Sequence, residues 1–322
     1  MMPATSHSPT RLRSRRGFTI VEVLVVSIIL AMVGGMLMNM LFKQQQFYNG
    51  TTDLMQLRGQ LRQAEAILGS DLRGVSPGGN EITAMTDSSI DFRYTYGSSI
   101  LCSAPNNNAS TVVLPPTTRA VGAPLTVWLN TPDTSDVVYI LDDKVPTVLA
   151  DDEWIERRVG SVVQPSAGLC GAPYTTVADA STPSYVITLD NGISSTTVRQ
   201  GAVVRFARNA HYSLYRSSTD GRWYLGYCNR TCNTTTNLIN PIAGPFLSYD
   251  PTSGSGTSGL RFTYYDNVGA QITGTGSSDR ARVSRVSIVM RGQTRGRLSV
   301  DGLARGVYTD SLRFDIALRN NR

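Results

Sequence analysis

The chain has 322 residues, 41% of them apolar and 17% charged, enough for one large or two modest domains with a hydrophobic core, and this composition excludes an intrinsically disordered polymer. Its formal charge of +6 is mostly local, because Arg11, Arg13, Arg15 and Arg16 precede Gly17 with no acid among them, so a chain beginning at Phe18 is close to neutral. Overall charge therefore gives no firm support for nucleic-acid binding, and abundant Thr, Ser, Gly and Asn between short β-branched and aromatic runs point to a β-rich, loop-heavy, extracytoplasmic body.

The first predicted element runs from Phe18 to Phe42, 25 residues without Lys, Arg or Asp, of which 18 are Ile, Leu, Val, Met or Phe. As a helix rising about 1.5 Å per residue it is about 37 Å long, more than a bilayer core of about 30 Å. Arginines before it, and only Lys43 just after it, place the N-terminus in the cytoplasm and the remainder outside. An ordinary cleaved secretory signal has a shorter apolar region ending at a small-x-small site, which is not found here. Ser14-Arg15-Arg16-Gly17-Phe18 fits the start of a twin-arginine signal, but the run that follows is too long and too apolar for one. Glu22 is the anomaly, since a carboxylate deep in hydrocarbon costs about 2–3 kcal/mol or more.

Arg16-Gly17-Phe18-Thr19-Ile20-Val21-Glu22 resembles the prepilin peptidase site of type IV pilins and type II secretion pseudopilins: a basic leader, a glycine, then a phenylalanine with glutamate five places into the mature chain. The resemblance implies that a prepilin peptidase cuts between Gly17 and Phe18 on the cytoplasmic side and methylates the new amino terminus of Phe18. It also explains the buried acid. In a water-poor filament core the free α-amine of Phe18 supplies the opposite charge, within a subunit or from a neighbour, and Glu22 becomes a device that fixes docking register.

Helix signals continue from Lys43 to Leu72, where Leu54, Leu57, Leu61, Ala64, Leu68 and Leu72 recur at steps of three and four on one stripe. The Gly34-Gly35 pair is an expected soft spot, each glycine costing about 1 kcal/mol relative to alanine. The helix is expected to stop near Gly74-Val75-Ser76-Pro77-Gly78-Gly79. Strands are predicted at Ile90 to Tyr96, Leu125 to Leu129, Val137 to Leu141, Tyr185 to Leu189, Ala202 to Ala207, Leu260 to Tyr265, Val283 to Arg291 and Ser311 to Leu318. A hairpin joins His211–Arg216 to Arg222–Cys228 with Asp220-Gly221 at its bend. The fold class is thus α+β: a long N-terminal helix packed on a mainly antiparallel β domain, divided as leader 1–17, membrane or filament-core helix 18–42, amphipathic helix 43–73 and globular domain 74–322.

Within the superfamily, the Tyr212-x-Leu214-Tyr215-Arg216 hairpin, the late strand Val286-Ser-Ile-Val-Met-Arg291 and the ending Leu312 to Asn320 look like PilW-type minor pilins. That resemblance implies a minor pilin near a filament tip, priming assembly and serving adhesion or twitching motility. Its partners are other major and minor pilins, the prepilin peptidase, and the bacterial inner membrane before assembly. The alternatives are a J-type pseudopilin of type II secretion and a membrane-anchored extracytoplasmic binding domain that never polymerises.

Four cysteines, Cys102, Cys170, Cys228 and Cys232, lie beyond the apolar run, an even number that points to two disulfides. Three pairings are possible, and Cys228 with Cys232 plus Cys102 with Cys170 is the one favoured. No metal or cofactor is expected, because His211 is the one histidine after the leader and has no obvious acid or nucleophile partner, and because Asp142-Asp143 and Asp151-Asp152 lack calcium-loop spacing. No enzyme is expected either. Gly74-Val-Ser-Pro-Gly78 matches a nucleophile elbow but follows a helix, and Pro77 lacks the N–H an oxyanion hole needs. Gly254-Ser-Gly-Thr-Ser-Gly259 matches a phosphate-binding pattern but leads into a strand rather than a helix.

Overall fold

The computed structural model describes residues 17–106, 108–145, 147–148, 151–165, 168–179, 181–193, 197–229, 232, 239–251, 257–298 and 306–318. The α+β class read from the sequence holds, with one long N-terminal helix and antiparallel sheets. The chain divides into two compact units, Met1–Asp53 with Arg295–Val307, and Leu54–Thr294 with Tyr308–Arg322.

Helix α1 (Ile20–Arg73) is 54 residues long. It stops where expected: Gly74 follows its last residue, and a single 3-10 turn, Pro77–Gly79, closes with Asn80 at φ 57°. In chain order the strands are β1 (Ile82–Met85), β2 (Ser89–Ile100), β3 (Ala109–Leu114), β4 (Val127–Trp128), β5 (Val137–Asp142), β6 (Glu153–Val163), β7 (Tyr185–Ile193), β8 (Val203–Arg216), β9 (Trp223–Asn229), β10 (Asn240–Phe246), β11 (Leu260–Tyr265), β12 (Gln271–Ile272), β13 (Arg285–Leu298) and β14 (Gly306–Ala317). A short helix, α2 (Ser277–Ala281), precedes β13. The larger sheet runs β1-β2-β8-β5-β6-β7-β3, with β4 on β2 and β9 and β10 continuing from β8; the smaller runs β12-β11-β13-β14.

Within the second unit two cores lie along one face of β2 and β8. The first takes the helix stripe: Leu57, Leu61, Ala64, Leu68 and Leu72 are buried against Phe92, Tyr212, Leu225, Phe262 and Ile288. Burying a large aliphatic side chain is worth about 1.5–3 kcal/mol, so this stripe fixes the lower helix to the sheets. Polar contacts set its register. The Tyr212 hydroxyl donates to Asp71 at 2.5 Å, Gln63 donates to the Ile242 carbonyl at 3.0 Å, and Gln60 accepts from the Gly244 amide at 3.0 Å, so two glutamines hold the outer strand β10. A side chain at Gly292 would overlap Leu57, which is why that strand position has none.

The second core, away from the helix, holds Leu114, Val138, Ile140, Ile187, Leu189, Val204 and Phe206. Strand β6 builds it by changing partners: Glu153 to Arg158 pair with β5, Val159 to Val163 pair with β7, and the register shifts between Val159 and Ser161. The Trp128 ring stands edge-on to Tyr185 at 4.7 Å and to Phe206 at 5.5 Å.

Arg208 sits on β8 between Phe206 of one core and Ala210 of the other. Its fork donates to Asp136, Nε to Oδ1 at 2.8 Å and Nη2 to Oδ2 at 2.5 Å, and Asp136 also accepts from the Tyr96 hydroxyl at 2.8 Å and the Asp133 amide at 2.9 Å. Burial pushes the Asp136 carboxyl up, but these donors together outweigh it and hold the group below its ordinary value. This pair corrects the reading of β8 as two separate runs. The charged Arg208 looks like a strand break in the sequence, whereas a carboxylate 72 residues away lets one 14-residue strand continue through both cores.

Candidate functional site at the head of the helix

Helix α1 begins with a reciprocal cap. The Glu22 amide donates to Thr19 Oγ1 at 3.3 Å, and the Thr19 amide donates to Glu22 Oε2 at 3.4 Å, so Thr19 is the N-cap and Glu22 the third helical residue. The Thr19 hydroxyl also reaches Glu22 Oε2 at 3.4 Å. These bonds satisfy two of the amides that every helix N-terminus leaves unpaired, and the carboxylate lies at the positive end of the helix dipole. Sequence reading gave Glu22 one role, meeting an amine; Thr19-x-x-Glu22 is itself the signature of a capping box and was available in the sequence.

From this cap the apolar side chains point outward on every side. Phe18 is 83% exposed, Ile20 86%, Leu30 72% and Met36 73%, and none of the best 18-residue apolar window is buried within the molecule. Among the described residues α1 is the one helix long and apolar enough to cross a membrane. A helix apolar all round and unburied among the described residues has a surface suited to lipid or to other protein. Gly17 and Phe18 precede the cap, and Gly34 and Gly35 lie inside an unbroken helix with open space around both. The leader through Arg16 lies outside the described residues.

The cysteines pair as Cys102 with Cys170 and Cys228 with Cys232, with Cα atoms 5.2 and 5.8 Å apart. The first joins the end of β2 to a loop 68 residues on, beside the second core. Cys228 lies on β9 opposite His211.

His211 differs from its sequence reading, because it has an acid partner. Its Nδ1 lies 2.7 Å from Asp91 Oδ1, directly across the pairing of β2 and β8, 120 residues apart in the chain. Ser213 follows two residues on along the same face, yet its buried Oγ has no hydrogen-bond partner among the described residues, so no nucleophile is bonded to the imidazole. Ser76 follows α1, and its amide donates to Glu81 at 2.5 Å. Asp142 is buried and accepts from Thr197 at 2.6 Å. Among the described residues no three His, Cys, Asp or Glu side chains group as metal ligands. Gly254, Ser255 and Gly256 of the Gly254–Gly259 run lie outside the described residues.

A model of the prokaryotic N-terminal methylation motif matches residues 12–38, covering the last leader arginines, Gly17, Phe18, the Thr19–Glu22 cap and the apolar helix through Met38. No curated protein and no solved structure matches the chain. The motif implies processing by a prepilin peptidase and partners among pilins. With its cap and its outward apolar surface, this segment gives the chain the N-terminal signal of type IV pilin-like proteins and pseudopilins.

Proposed function

We propose that this chain is a minor type IV pilin. It stands in the bacterial inner membrane with its N-terminus in the cytoplasm, is cut after Gly17 and methylated at Phe18, then leaves the bilayer and packs α1 among other pilins. As a PilW-like subunit it takes part in priming the filament and sits at its tip, and it carries out no catalysis. A bulky domain is more easily accommodated at a tip than repeated along a shaft.

One observation carries this reading: a matched methylation motif opens a helix whose apolar surface stays exposed among the described residues. The cap gives the assembly step a mechanism. Thr19 holds the Glu22 carboxylate at the helix head, one residue from the amine that cleavage at Phe18 creates. A subunit entering the filament core then brings a preplaced acid rather than a mobile one, and little conformational entropy is left to lose on pairing.

The test is mass spectrometry of the mature N-terminus combined with fractionation of shed fibres. Methylated Phe18 in the fibre fraction is the expected result. An intact leader, with the protein confined to membranes, sinks the proposal. A deletion strain that keeps its pili but loses secreted enzymes assigns the chain to type II secretion instead.

A further inference from the structure

We infer that the outer face of the central sheet, around Val203 and Trp154, docks a second, different filament subunit that presents apolar side chains edged by carboxylates. The inference rests on the filament reading above and names a partner surface that the helix does not supply.

Strand register defines the face. Val127, Ser98, Arg205, Tyr139 and Glu156 stand side by side across β4, β2, β8, β5 and β6. One step outward lies an apolar row: Ile100 pairs with Val203, Leu141 pairs with Trp154, and the β5–β8 register brings Val203 beside Leu141. Side chains of the opposite face, Val138, Ile140, Val204 and Phe206, fill the second core, so this row points away from it. Val203 and Trp154 are each 37% exposed and Val127 is 55% exposed. Apolar side chains lined up across four strands, next to a fifth with an exposed valine, form a continuous patch rather than the scattered exposure normal on a surface.

Charge selects the occupant. Arg205 lies 4.4 Å over the Trp154 ring, and Arg158 is exposed on the same face. Of the nearby acids, Glu156 is held by Arg93 at 2.7 Å and Glu153 by Lys144 at 2.8 Å, while the mostly buried Glu81 attracts Arg205 without forming an ion pair with it. Neither Arg205 nor Arg158 has an ion-pair partner among the described residues. Tryptophan and arginine are among the side chains most enriched where proteins bind one another, and two guanidinium groups without an ion-pair partner at the rim favour carboxylates opposite. A second copy docking by the same patch would set arginine against arginine, which argues for a different chain.

The test uses the full-length protein in its own cells. A photo-crosslinking amino acid replaces Val203 and, as an off-patch control, Val268, which is 82% exposed. The expected product at Val203 is an adduct to another processed pilin-like chain, its crosslinked peptide containing Asp or Glu. R205E and W154A, in the crosslinking background, each reduce its yield about tenfold or more. Unchanged thermal midpoints show that these variants still fold. Val203 yielding no more adduct than Val268, an adduct to a second copy of this chain, or an adduct indifferent to both substitutions overturns the inference. Shed fibres from the same cells report the filament reading separately, since a chain absent from fibres defeats that reading whatever the crosslink pattern.

Discussion

The two ends of α1 are one continuous helix with opposite relations to the molecule. Between Ile20 and Phe42 the large apolar side chains are exposed, whereas between Leu57 and Leu72 one stripe of five is buried in the first core. The difference is one of pattern rather than of apolar content alone. A stripe flanked by Gln, Arg and Glu can be satisfied by one sheet; a surface apolar all round cannot, and here it stays exposed among the described residues. Domain stability is therefore carried by one half of the element and the outward apolar surface by the other.

Substitutions can pull these two properties apart. The largest expected effect lies in neither half: Asp136→Ala leaves Arg208 buried and unpaired and lowers domain stability by about 3–5 kcal/mol, read as a urea midpoint in detergent. Because the folded Asp136 carboxyl lies below its ordinary value, its contribution is complete above the unfolded value of about 3.9 and is lost as pH falls through the folded one. Acid titration of the wild type should accordingly show stability falling below about pH 4, and Asp136→Asn should flatten that fall. Leu68→Ala empties a fully buried site and costs about 2–5 kcal/mol, while Leu30→Ala, in the exposed half, changes domain stability by less than about 0.5 kcal/mol. Equal losses from the two leucines would erase the distinction drawn here. Replacing Cys228 and Cys232 by alanine opens a loop of only 4 residues' separation and costs about 2 kcal/mol, against about 4 kcal/mol for the Cys102–Cys170 pair with its separation of 68. The smallest effect on folding is Thr19→Ala, about 1 kcal/mol of local helix capping, with the domain's urea midpoint unmoved; incorporation into fibres should nevertheless fall.

Where the fold was legible in the sequence, the signal was local. The helix end before Gly74, the burial of Leu57 to Leu72, strand β11 and the β8–β9 hairpin were all read from periodicity and turn residues. In that hairpin Gly221 has φ 70°, and Asp220 accepts from the Arg222 amide at 3.1 Å, as a bend at Asp-Gly requires. What was missed depends on distant partners. Strand β6, Glu-Trp-Ile-Glu-Arg-Arg, carries charges on both faces: Glu156 meets Arg93 on the outer one, and Arg157, on the face of Ile155, donates to the Gly192 carbonyl. Strand β10 contains Pro241 and Pro245, which argue against a strand until Gln60 and Gln63 of the helix are seen to hold it. Strands β1, β3 and β12 are short or gain their burial from neighbours far along the chain. At the helix head, Gly17, Phe18 and Glu22 stood out as a motif, whereas the link between Asp91 and His211 was invisible because it exists only across paired strands.

Strands β2 and β8 pair from Ser89–Ser213 to Ile100–Val203, and both cores rest on that one ladder. Tension applied at the far core reaches the helix stripe along the lengths of two strands, so their rungs are loaded in shear and resist together rather than opening one by one. The Arg208–Asp136 fork lies midway along this path. It acts as a rivet in the spine, placed where two apolar blocks meet and where slippage of one against the other would otherwise begin.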